Sequence, residues 1–251
     1  MTDKNNDHYA DLRTDLAAAF RWTARFNYHE GISNHLSVAT SEEGSEFLIQ
    51  PAGRHFSRVR ASELLLLNAN NPETLAQENA PDPTAWFLHA YLHKNLPHAK
   101  CIIHLHTQNS LALACLKDFE FLMLDQNACR FYNRIAYDRN YVGMPLSSEE
   151  GERIAGLMQD GKSILMMGNH GILITAPTIA QAFDELYYFE RSAELQIKVM
   201  QTGREISVIP DNIAAEVERE WREYPTKLPF HDMHFNALKE ILDQEEPDYK
   251  L

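Results

Sequence analysis

The chain has 251 residues, of which 44% are hydrophobic and 24% charged, an ordinary globular composition with enough length for one substantial core. A formal net charge of −13 argues against nucleic acid or an anionic membrane surface as partner, although a few local cations can still reverse the potential inside a cleft. No apolar stretch approaches the roughly 18–20 residues of a membrane span. The polar start, Met1 to His8, lacks the apolar region of a signal peptide. Cys101, Cys115 and Cys129 have no paired CxxC spacing, which gives neither a disulfide framework nor a thiolate zinc site, and a cytoplasmic protein is expected.

Along the chain, 9–28 reads as an amphipathic helix with Leu12, Leu16, Ala19 and Phe20 on one stripe, stopped by Gly31. Two strands are expected at 34–40 and 45–50 around a Glu43-Gly44 turn. Pro51-Ala52-Gly53 then opens an irregular, locally basic loop with Arg54, His55, Arg58 and Arg60, and 68–81 reads as a polar surface excursion. Asp82 as N-cap and Pro83 in the first turn start a helix that runs to about Asn95. A strand at 100–106 and an apolar helix near 108–117 follow. Residues 119–142 mix short apolar pieces with aromatics and give no clear assignment. A short helix starts at Ser148, and strands at 163–167 and 172–175 flank the Gly168-Asn169-His170-Gly171 turn. Thr178 with Gln181 forms a capping-box pattern opening a long helix that Gly203 stops. The tail beyond Ile209 is charged and helical in parts, with breaks at Pro225 and Pro229. A body at 1–205 with a C-terminal extension at 206–251 is therefore expected, of the α/β class.

Chemistry concentrates in three histidines. Successive strand side chains point to opposite faces, so His104 and His106 share one face and can reach a single ion. Imidazole nitrogens bind zinc at roughly 2.0–2.1 Å, and three protein ligands leave an open position for Lewis-acid chemistry. His170, in its glycine-flanked turn, is the third candidate. His89 and His93, spaced i, i+4 on a helix, lack the glutamate of the metalloprotease motif because position 90 is Ala; buried, hydrogen-bonded histidines are expected there instead. His35 is open between a pocket residue and a core one.

Four segments, in register, resemble the class II aldolase/adducin head family over about residues 8–203: Gly31-Ile32-Ser33-Asn34-His35-Leu36-Ser37, Ile49-Gln50-Pro51-Ala52-Gly53, the 86–106 block ending in His104-Leu105-His106, and Asn169-His170-Gly171. The resemblance implies a three-layer α/β/α sandwich around a mainly antiparallel central sheet, a C4 homotetramer with sites near subunit interfaces, and a divalent metal on His104, His106 and His170. Zinc is the first expectation, with manganese or iron as alternatives. Asn34, Ala52 and Gly53 fall where the sugar-phosphate aldolases hold the substrate phosphate. Ala85 stands in place of the aldolase general-base glutamate, and a methyl group takes no proton. This departure, with Ala52 replacing a threonine, leans toward the adducin-like bacterial branch.

The first functional expectation is a metal-dependent lyase acting on a small hydroxy- or oxo-acid, or a sugar-derived substrate, by decarboxylation or retro-aldol cleavage. Decarboxylation fits the missing base, since loss of carbon dioxide generates the carbanion without prior deprotonation. Asp125, Tyr132 and Tyr141 are candidate proton donors, and Arg54 or Arg58 could hold a carboxylate in a bidentate pair. The alternatives are a non-catalytic adducin-like scaffold and an Fe(II)-dependent oxygenase using the same histidines.

Overall fold

The period-two runs pair into one seven-stranded sheet in the computed structural model, which describes residues 9–144 and 147–251. The strands are β1 (His35–Ala39), β2 (Glu46–Ile49), β3 (Leu65–Asn68), β4 (Cys101–Leu105), β5 (Ile135–Asp138), β6 (Ile164–Met167) and β7 (Gly171–Ala176), in spatial order β3-β2-β1-β4-β7-β6-β5. Every pairing is antiparallel except β5–β6. That pair is joined by a crossover through α4 (Ser148–Leu157), the connection that parallel neighbours require. The expectation for Met1 to His8 concerns residues outside those described.

Alternation along β4 sorts the layers. Cys101, Ile103 and Leu105 enter the larger core with α1 (Ala10–Arg25) and α5 (Ile179–Gln201), whereas Ile102 faces Leu88 and Leu92 of α2 (Pro83–Asn95) and Ile154 of α4. The result is the three-layer sandwich expected. Asp82 Oδ1 accepts the Thr84 amide at 2.8 Å to cap α2, and Thr178 Oγ1 accepts the Gln181 amide at 3.1 Å to cap α5.

Helix α1 ends at Arg25, three residues before the expected helix end at 28. Asn27 takes φ +56° and the Tyr28 amide donates to the Thr23 carbonyl at 2.9 Å, closing the helix in a left-handed turn. Helix α3 (Gln108–Ala114) also stops early, because Cys115 to Asp118 are exposed and offer no buried face for another turn.

The C-terminal segment forms α6 (Asp211–Glu223) and α7 (Phe230–Glu245). Phe235, Leu238, Leu242 and Tyr249 lie in the same core as Leu16 and Phe20 of α1. Trp22 Nε1 donates to the Leu238 carbonyl at 2.9 Å, and the buried Arg21 guanidinium reaches Glu246 at 2.9 Å and Asp248 at 3.0 Å. The 205/206 boundary thus marks a change in charge density, while the core runs across it. Among the described residues no helix is long and apolar enough to cross a membrane.

Candidate metal centre

β1 and β4 are neighbours, and their antiparallel register sets His35 directly opposite His104 on the face turned to α2. His106 follows one residue beyond β4. The β6–β7 turn then brings His170 back beside both, with Asn169 in the left-handed region at φ +56°. A Cβ on Gly171 would lie 2.4 Å from the Leu105 carbonyl oxygen and 2.8 Å from His106 Cδ2, so only glycine lets β7 start this close to the end of β4.

The three rings sit edge to face, with centroids 5.1 Å (His104–His106), 4.8 Å (His104–His170) and 4.9 Å (His106–His170) apart. Their ligand atoms all lie within 4.8 Å of one another, and they are the one such group of three found among the described residues. Two tautomers are fixed from outside. His104 Nδ1–H donates to the Ile172 carbonyl at 2.9 Å, and His106 Nδ1–H donates to Glu30 Oε2 at 2.5 Å. In the neutral ring each leaves Nε2 as a lone pair, and His106 Nε2 is buried without a hydrogen-bond partner among the described residues. A buried acceptor costs free energy when unmet, and a cation held by three imidazoles meets it. The histidines therefore fit a divalent ion.

Electrostatics favour the ligating form. Burial, then the neighbouring imidazoles His35, His170 and His106, hold His104 well below its ordinary value. Burial followed by His106 pulls His170 to about 4. Both rings are neutral near pH 7, as metal ligation requires.

The other expected site residues separate into groups. Asn34, 1% exposed, accepts the Glu30 amide on Oδ1 at 2.7 Å and the Gln50 side-chain amide on its carbonyl at 2.8 Å, which leaves Nδ2 buried and unpaired. The Ala52 amide donates to Ala80 at 3.0 Å, and Gly53, at φ +76°, has open space around it. Arg54 is committed elsewhere: its guanidinium grips Glu63 with two bonds of 2.9 and 2.5 Å, nine residues along the same loop. Tyr141 comes to the site, its half-exposed ring 5.8 Å from His170. Asp125 instead accepts the Ala128 amide at 2.8 Å and the Ser192 hydroxyl at 3.3 Å. Tyr132 lines a separate hollow with Phe121, Tyr137 and Lys162. No contact joins Asp125 or Tyr132 to the three histidines among the described residues.

Glu30 was not singled out by sequence, and Ser37 stood there only as the end of a family-like segment, with no partner assigned. Their partners lie 76 residues away (Glu30 to His106) and 52 and 56 residues away (Ser37 to His89 and His93), so no local pattern marks them.

Ala85 lies one turn before His89 on α2, buried with Phe47, Ile49 and Trp86. The position offers no carboxylate to the site.

A protein-family model described as the Class II Aldolase and Adducin N-terminal domain matches residues 14–197. The decarboxylase NovR of Streptomyces niveus is 26% identical over 218 residues, 86% of this chain and 78% of that protein. The 4-hydroxy-3-prenylphenylpyruvate oxygenase/4-hydroxy-3-prenylbenzoate synthase of Streptomyces roseochromogenus is 28% identical over 72% of this chain and 65% of its own length. Among solved structures, an aldolase II superfamily protein from Pseudomonas syringae superposes with a TM-score of 0.86 at 26% identity, covering 99% of this chain and 98% of that one. With the family match spanning most of its length and the fold in agreement, the chain belongs to the class II aldolase and adducin N-terminal domain family.

Proposed function

We propose that this protein is a metal-dependent lyase that cleaves a carbon–carbon bond in a small hydroxy- or oxo-acid, by decarboxylation or retro-aldol cleavage. The observation that carries the reading is the convergence of three imidazoles, two of them with Nδ1 committed to outside partners and His106 Nε2 without a hydrogen bond among the described residues. A divalent ion there, zinc in the first instance, supplies Lewis-acid stabilisation of the charge left on the substrate when the bond breaks. Decarboxylation suits this chain best, because position 85 provides no base and the electron pair of the departing carboxylate stays on the substrate carbon. Tyr141, beside His170, then delivers the proton; the commitments of Asp125 and Tyr132 argue against either in that role. Asn34 Nδ2 is a donor suited to a carboxylate oxygen, which replaces Arg54 as the acid-holding group.

Ile32, Tyr141, Val142 and Met144 are exposed apolar residues, Tyr141 beside His170, and a homotetramer in which a neighbouring subunit covers them is the assembly we propose. Three free cysteines support a cytoplasmic location. The named oxygenase relative favours one second reading, ferrous iron on the same histidines.

Elemental analysis of the native protein, joined to a screen of small acids for carbon dioxide release, tests the proposal. Stoichiometric metal and turnover are expected, with the metal lost in H104A/H106A while the fold is retained. Unchanged metal in that double variant refutes the ligand set. Oxygen uptake by the iron-loaded protein moves the reading to oxygenase, and bound metal without turnover moves it to a scaffold.

A further inference from the structure

Between β1 and α2 a second row of histidines runs toward the triad. His93 Nδ1 lies 2.8 Å from the Ala99 carbonyl, and a carbonyl only accepts, so Nδ1 carries the proton. His93 is fully buried and held neutral by desolvation, so its Nε2 accepts, and the partner 2.7 Å away is the Ser37 hydroxyl. With its own proton given to His93, Ser37 Oγ accepts from His89 Nδ1–H. His89 is likewise buried and neutral, so its Nε2 accepts from His35 Nδ1–H at 2.7 Å. Each link dictates the polarity of the next. The direction set at Ala99 arrives at His35 with Nε2 as a lone pair, and none of the hydrogen bonds among the described residues reaches this nitrogen.

That lone pair stands beside the candidate metal site. The His35 ring is 4.9 Å from the His104 ring, and the titratable groups whose charge it would feel are Asp82, His106 and His170. Asn34, the preceding residue, is wired in the opposite sense: with Oδ1 taken by the Glu30 amide, it offers a donor.

We propose that His35 is a substrate-reading residue, a preset acceptor that makes the site prefer a 2-hydroxy acid over the matching 2-oxo acid. A hydroxyl donates into the waiting lone pair, whereas a ketone oxygen would face it with lone pairs of its own. The inference rests on the metal-site reading above and narrows its substrate class to 2-hydroxy acids that also carry a 3-oxo group, the carbonyl that takes up the electron pair left by carbon dioxide loss; lactate and pyruvate probe the 2-position alone.

Two measurements test it. In metal-free protein, long-range proton–nitrogen NMR of the histidine side chains reports each tautomer, with the His35 signal identified by its loss in H35F. His35 is expected as Nδ1–H, and S37A, which cuts the chain two links away, is expected to return it to a mixture. Finding Nε2–H in the unaltered protein, or an unchanged tautomer in S37A, overturns the proposal. In zinc-loaded protein, calorimetry with lactate and pyruvate is expected to favour lactate by about tenfold or more, because an acceptor left unpaired penalises the wrong ligand. The ratio should approach unity in H35F and fall in S37A. Equal or tighter pyruvate binding, a ratio that survives H35F, or zinc-loaded protein that binds neither acid overturns the proposal alone. Protein that holds no zinc overturns the functional reading instead, and the metal-free NMR result then decides the tautomer of His35 by itself.

Discussion

At Asp184 two imidazoles and a guanidinium converge on one carboxylate; at the triad three imidazoles converge, and His106 Nε2 has no hydrogen-bond partner among the described residues. Asp184, fully buried on α5, accepts His231 Nδ1–H at 2.8 Å, His234 Nδ1–H at 2.7 Å and a bond from Arg130, whose guanidinium also lies over the Tyr188 and Trp221 rings. Burial pushes this carboxyl up, but the two histidines and Arg130 hold it well below the usual carboxylate range. The same residue types thus serve opposite purposes. In the first cluster every Asp184 bond goes to a side chain of the same molecule and fastens α7 to α5, and in the second the imidazole Nε2 atoms are turned toward one another rather than to a protein acceptor or donor.

Breaking the closed cluster should have the largest effect. D184A leaves Arg130 charged and buried without its partner, an expected loss of about 3–5 kcal/mol read from denaturant unfolding, with metal content unchanged in the protein that remains folded. A fall in metal content at full stability would mean that the two clusters are coupled.

Next comes the turn that delivers the third ligand. The added Cβ of G171A must displace the Leu105 backbone or His106, and metal affinity should fall by roughly tenfold or more, as when support behind a ligand is lost. Unchanged affinity would show that the strand end can yield. E30Q removes the carboxylate behind His106 and should weaken metal by about 10- to 100-fold, with a melting temperature close to that of the parent.

The histidine row carries a pH dependence of its own. Burial, countered in part by the Ala99 hydrogen bond, draws His93 from the ordinary 6.5 to about 4. Below pH 6.5 the unfolded chain therefore binds a proton that the folded one refuses. Stability should decline as pH falls from 6.5 toward 4 and level off beneath that, because the unfolded state holds more protons across that window. Urea midpoints of metal-free protein across this range check the sign; a flat profile would mean that His93 is charged in the fold.

How much of this was legible in sequence depended on the reach of each interaction. Helix α2 was readable to the residue because Asp82 and Pro83 signal its start locally. β3 was hidden: Leu64 to Leu67 is a short apolar run, and only pairing with β2 makes a strand of it. β5 was lost among the aromatics of 119–142 because parallel pairing with β6 defines it. In the site, the i, i+2 spacing exposed His104 and His106 at once. Among the loop cations, nothing local shows that Glu63 pairs with Arg54. The His35–His89–Ser37–His93 chain joins two elements more than fifty residues apart, and periodicity on either carries no trace of it.

The setting of His104 has a kinetic consequence. Its orienting carbonyl, Ile172, lies 68 residues further along, on a strand that docks only when β4 and β7 pair. During synthesis or refolding the nascent chain thus has no assembled trio of imidazoles to load, and a divalent ion that prefers the finished sheet shifts the equilibrium toward it in proportion to the logarithm of its free concentration.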